Sequence, residues 1–179
     1  MATIDYSKTI TQQLEAFLPH ICGNPLASLV VIKGIPGPRE AAGDKPFSGQ
    51  DGLALDKAFG RLGWGFGSQS TRMWFGIALS PASAPTLSPQ SLRSICELID
   101  PLTIVALDDK ARLACIEAFS QAEEGFLADF TSGRQTWVLG RHLISVAGFE
   151  AALDDDAQKQ KVWAQLKRCV PPQMQGKKG

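Results

Sequence analysis

The residues best placed to do chemistry gather on one loop. Lys33-Gly34-Ile35-Pro36-Gly37-Pro38-Arg39-Glu40 follows the first apolar run, and Pro46-Phe47-Ser48-Gly49 comes shortly after it. Glu40 offers a carboxylate for acid–base work. Phe47 offers an aromatic face, either for stacking a planar ligand or for packing under the loop. Lys33, Arg39 and Lys45 form a local cluster of positive charge that suits phosphate. A second carboxylate, Asp108, stands beside Asp109 at the end of a later apolar run. Each group also has a plainer role on the same spacing: Arg39 and Glu40 as a solvated ion pair, Asp108 and Asp109 as caps of the helix that follows.

Composition narrows the remaining chemistry. The 179-residue chain carries 18 basic and 18 acidic residues, a formal net charge of zero, so no global field draws in a phosphate backbone. Nucleic-acid contact would fall to the loop cluster and to Lys177 and Lys178 near the end. Cys22, Cys96, Cys115 and Cys169 are widely spaced and form no CxxC pair, and His20 and His142 are isolated, so no metal site is expected. The glycines fit neither a P-loop nor a dinucleotide fingerprint. There is no basic-then-apolar leader and no apolar run of about 18 residues, which predicts a soluble, cytoplasmic protein with no membrane partner.

The elements that must position these groups alternate in type. Apolar positions at helical intervals run from about Ile4 to Leu18, where Pro19 is expected to end the helix. Ala27 to Ile32 is short, branched and continuous, as in a strand covered on both faces. A helix from Gly49 to Leu62 stops at Gly63-Trp64-Gly65-Phe66-Gly67. Met73 to Leu79 is a strand, and Ser88 with Pro89 opens a helix that stops before Pro101. Thr103 to Leu107 is a strand, with a helix after it to about Ala122. Trp137-Val138-Leu139 and Leu143 to Val146 flank a turn at Gly140, the second run being the fourth core strand. A last helix spans about Asp155 to Arg168.

This alternation predicts an α/β fold, a three-layer α/β/α sandwich around a central four-stranded, mainly parallel sheet. One domain is expected over 1–170, with a tail at 171–179. Ligands of such sheets bind at the carboxyl edge of the strands. The candidate site therefore lies among the loops at Gly34 to Gly49, Leu79 to Pro85, Asp108-Asp109 and Ala147 to Phe149.

On these residues the chain resembles the uracil-DNA glycosylase superfamily, in particular its family 4 type. Pro36-Gly37, then Pro46-Phe47 at the matching distance, then Gly49, Gly52, Leu55 and Asp56, are similar to the first motif and its helix. Ile95 to Leu107 is similar to the family's "ELIxPKVIVALG". Ala151-Ala152-Leu153, Lys161, Trp163, Leu166 and Lys167 resemble its "HPSxLL…K…W…LK" ending. The likeness spans about Leu29 to Arg168 in the family's order.

The resemblance implies a uracil-DNA glycosylase-like fold and a pocket for a nucleobase, nucleotide or single-stranded nucleic acid. Excising a base needs donors at the base oxygen, a group that reads the base edge and a carboxylate or ordered water at the sugar. By resemblance the pocket comprises Gly34, Ile35, Pro36, Gly37, Phe47, Ser48, Gly76, Gly148 and Phe149. Phe47 matches the stacking phenylalanine, and Pro36 and Gly37 match the backbone turn. The acidic position falls on Gly34, the base-reading asparagine on Gly76 and the leaving-group histidine on Gly148, with Phe149 replacing a proline. Standard excision is therefore not expected. Cys22 to Leu26 matches only the end of the family's "CxxCPL", so no iron–sulfur cluster is expected. Three readings stay open: a divergent member that binds a base without cleaving it, an active glycosylase with Glu40 or Asp108 as substitute, and a noncatalytic interaction protein.

Overall fold

The computed structural model describes residues 6–65, 72–120 and 129–171. Ile4, Gly67, Ala122 and the basic pair Lys177 and Lys178 fall outside this range. After α1 (Tyr6–Leu14) the chain tightens into a 3-10 helix over Glu15–His20, with Pro19 inside it. The α-helix thus ends earlier than expected. Proline lacks the N–H and its ring clashes with the carbonyl four residues back, so an α-helix cannot carry through to Pro19.

The chain then forms β1 (Ile21–Gly23), β2 (Leu29–Lys33), α2 (Pro38–Ala41), α3 (Gln50–Arg61), β3 (Phe75–Ala78), α4 (Pro89–Ile99) and β4 (Thr103–Ala106). It continues with α5 (Asp109–Phe119), β5 (Gln135–Val138), β6 (Arg141–Ser145), α6 (Phe149–Ala152) and α7 (Asp156–Leu166). Two helix starts follow their side chains directly. Ser88 accepts from the Ser91 N–H ahead of Pro89, and Asp108 accepts from the Ala111 N–H.

The sheet is mixed and six-stranded, in the order β1-β3-β2-β4-β6-β5. This corrects the expectation of four strands. β3, β2, β4 and β6 run parallel, with Val31 aligned to both Gly76 and Val105. The two added strands are antiparallel and sit at the edges. β1 is too short to show a period. β5 returns into β6 through Leu139 and Gly140, both at positive φ (47° and 76°), which is the two-residue hairpin turn that matches strand twist.

Alternation along the strands divides the core in two. Val30, Ile32, Phe75, Ile77, Ile104 and Leu143 face the layer of α1, α4 and α5. Leu29, Val31, Val105, Leu107, Ile144 and Val146 face α3, α6 and α7. Among the described residues, no helix is long and apolar enough to cross a membrane. The carboxyl ends of the parallel strands bring Lys33, Ser80, Asp108 and Gly148 to one edge of the sheet.

Candidate functional site

Lys33 continues the inward alternation of Leu29 and Val31 and is only 3% exposed. Its Nζ forms ion pairs with Glu40 of α2 and Asp51 in the first turn of α3, both also buried. Two carboxylates around one ammonium leave negative charge in excess, and backbone donors absorb it. The Gly37 N–H donates to Glu40 Oε2 at 2.7 Å, the Phe47 N–H donates to Glu40 Oε1, and the Gly52 N–H donates to Asp51 Oδ1 at 2.8 Å. Burial alone would lower the Lys33 pKa, but its hydrogen bonds to Asp51 and Glu40 outweigh that and hold it above the ordinary lysine value.

The same network fixes Phe47 in left-handed backbone, at φ 57°. Glu40 takes its N–H, and Arg72 Nη2 donates to its carbonyl at 2.7 Å. Arg72 is itself paired with Asp56, which also accepts from Trp74 Nε1 at 2.8 Å. A non-glycine residue persists in this region only where its surroundings over-determine it. The Phe47 ring is 0% exposed, stands edge-on to Trp74 at 5.1 Å and has the Lys33 ammonium over its face. It also lies across Gly76, where an added Cβ would come within 2.8 Å of the ring and of the Cys22 sulfur.

Gly34 is equally closed. A Cβ there would stand 2.4 Å from Lys110 Cβ and 2.7 Å from Asp108 Oδ1. Asp108 Oδ2 accepts the N–H groups of Gly34 (2.8 Å) and Ile35 (3.2 Å), while Oδ1 caps α5. The carboxylate thus ties the loop to the end of β4. Gly148 differs: it adopts φ 70° and faces open space.

Outside this closed floor lies a cleft of about 610 Å³ between the loop and α6, with Pro36, Gly37, Arg39, Glu40, Asp51 and Glu150 among its lining residues. Glu150 Oε1 would stand 3.1 Å from a Cβ at Gly37. Burial raises the Glu150 pKa; Lys33 opposes the rise, and Asp51, Glu40 and Asp108 add to it. The cleft therefore presents a carboxyl group that holds its proton more readily than an exposed glutamate.

The expected site residues separate into groups. Pro36, Gly37, Arg39 and Glu40 line the cleft, while Gly34, Phe47 and Gly76 lie beneath it in packed surroundings. Ile35 is 56% exposed, Phe149 packs in the core, and the Ser48 hydroxyl is buried without a partner among the described residues. The expected basic patch does not assemble. Lys33 is enclosed by carboxylates, Arg39 pairs with Asp44 at 2.7 Å, and Lys45 is exposed. Of the two candidate catalysts, Glu40 spends both oxygens on loop N–H groups, and Asp108 spends one on the loop and the other on the cap of α5.

Sequence reasoning missed Asp51, Arg72 and Glu150. Glu150 directly follows Gly148 and Phe149, so carrying the motif comparison one residue further would have found it. Asp51 carried the signal of an acid in the first turn of a helix. Among the described residues, no group of His, Cys, Asp and Glu could hold a metal ion. His142 aligns with Thr103 at the start of β4, away from this edge. No family model matches the chain, and no curated protein matches it.

Proposed function

We propose that the chain is a divergent member of the uracil-DNA glycosylase superfamily that has given up base excision and acts as a binding protein. The observation that carries this reading is the enclosed Phe47 ring. The aromatic face that would stack a flipped base is covered by the Lys33 ammonium, and the space where a base edge would be read is filled across Gly76. Gly34 and Gly76 are closures of the old pocket, because neither position has room for a side chain.

Binding then moves outward to the cleft of Gly37, Glu40, Asp51 and Glu150. Glu40 and Asp51 are committed to Lys33 and to backbone N–H groups, so Glu150 is the carboxyl group that would accept a hydrogen bond there from a donor-rich, uncharged or cationic ligand, such as an amino-bearing nucleobase or nucleoside. Incubating a uracil-containing single strand with excess protein is expected to yield no abasic product. Abasic product that disappears in Glu150→Gln would instead favour a replaced catalytic set. Calorimetric titration with nucleosides is expected to show saturable binding that Glu150→Gln weakens, and no saturation by any nucleoside would remove the cleft from the reading.

A further inference from the structure

A second cavity, of about 580 Å³, forms a groove between α3 and α7 with α6 contributing to its floor. α3 turns Gln50, Leu53, Ala54, Lys57, Ala58 and Arg61 toward it. These positions follow the i, i+3, i+4, i+7, i+8, i+11 rule and form one continuous stripe, separate from the core stripe of Asp51, Leu55 and Phe59. α3 thus carries Leu53, Ala54 and Ala58 beside its core stripe, the two alanines packing partly against the core and Leu53 standing exposed. Trp163 and Leu166 of α7 line the opposite side, and Leu53 is 47% exposed.

The charged side chains that line the groove are Lys57, Arg61 and Lys159, and of these Lys159 pairs with Asp156 at the rim, at 2.9 Å. We propose that this groove docks an acidic amphipathic helix from a protein partner, its apolar ridge against Leu53, Ala54, Ala58 and Trp163 and its carboxylates against Lys57 and Arg61. The stripe from Gln50 to Arg61 is about 16 Å long, or three turns, which matches a short helical ligand. The small side chains of Ala54 and Ala58 leave hollows for larger ones.

Other occupants fit less well. Single-stranded nucleic acid stacks on successive aromatic rings, and here Trp163 is half-buried while Phe149 is 5% exposed. No strand edge lines the groove, so an extended peptide would find no backbone ladder to join. A two-fold contact between two copies of this face would set Lys57 and Arg61 against themselves.

The test is fluorescence anisotropy with a synthetic helix that carries Leu and Phe at helical spacing on one face and Glu on the other. Controls are a scrambled peptide of the same composition, a version with Lys in place of Glu, and a single-stranded oligonucleotide. The patterned acidic peptide is expected to saturate, with both peptide controls at least about tenfold weaker. Added salt is expected to weaken it, and the exposed double substitution Lys57→Glu/Arg61→Glu to cost about tenfold with a nearly unchanged circular dichroism melt. Equal binding of the scrambled peptide, Lys57-dependent binding of the oligonucleotide, no saturation by the patterned peptide, or a dimer that Leu53→Asp dissociates would each overturn the proposal.

Discussion

The ammonium of Lys33 stands 4.9 Å from the centroid of the Phe47 ring. The cation that ends β2 and the aromatic that ends the loop thus shield each other from water, and Glu40 and Asp51 hold them there. Neutralising one member is more harmful than neutralising the set. Lys33→Met is expected to lower unfolding free energy by about 3–5 kcal/mol, because it leaves two buried carboxylates without their cation. Chemical denaturation measures this, and Lys33→Met/Glu40→Gln/Asp51→Asn is expected to recover much of the loss. A single variant as stable as the parent would show that the pair is not coupled.

Introducing the amide that the proposed uracil-DNA glycosylase kinship would place at Gly76 is expected to damage the fold without creating base recognition. Gly76→Asn drives a side chain into the Phe47 ring and the Cys22 sulfur, at a cost of about 1–3 kcal/mol from overpacking. Denaturation and a uracil titration check it together. Uracil binding with unchanged stability would mean that the ring swings aside easily.

Asp108→Ala is expected to cost about 1–2 kcal/mol through loss of the α5 cap. It also releases the Gly34 and Ile35 N–H groups. Amide hydrogen exchange should therefore accelerate at those two positions more than in β2. Uniform acceleration would assign Asp108 to helix capping alone.

Glu150 gives stability a pH dependence of defined sign. Its folded pKa is raised by burial, so between the ordinary and the raised value the folded state binds more protons than the unfolded chain. Its contribution is fully present below the ordinary glutamate value of about 4.3 and is lost as pH rises through the raised one. Denaturation midpoints across that window should fall more steeply with pH in the parent than in Glu150→Gln. Parallel profiles would remove Glu150 as the source.

Thiol chemistry reports on the same packing. Burial pushes the Cys22 thiol up to about 11 and Cys96 and Cys169 to about 12, and raises Cys115 as well. Native protein at neutral pH should resist alkylation, with half-buried Cys22 reacting first. Rapid labelling of Cys96 or Cys115 would indicate an open helical layer.

The parts that local chemistry dictates were legible in the chain. Ala27 to Ile32 and Thr103 to Leu107 read as buried strands because they are branched and continuous, and Ser88 and Asp108 read as caps because a hydroxyl or carboxylate precedes a helical pattern. The edge strands were harder. Ile21 to Gly23 is shorter than any period, and Gln135 to Val138 is placed by its hairpin with β6. The site was least legible where distant partners decide it. A lysine closing an apolar run looks like an exit to solvent, and only Glu40 and Asp51, brought together by the loop and α3, make Lys33 an interior residue. The direction of the Phe47 ring is likewise set by Arg72, Trp74 and Gly76.

The tie between Gly34 and Asp108 spans 74 positions of sequence. A growing chain that has emerged only through α4 contains every residue of the loop but not the carboxylate that shapes it. The hydrogen bonds of Gly34 and Ile35 to Asp108 therefore require β4 to be aligned beside β2. Fragments that stop short of Asp108 would carry the loop's residues without this tie, so the complete cleft belongs to the finished sheet.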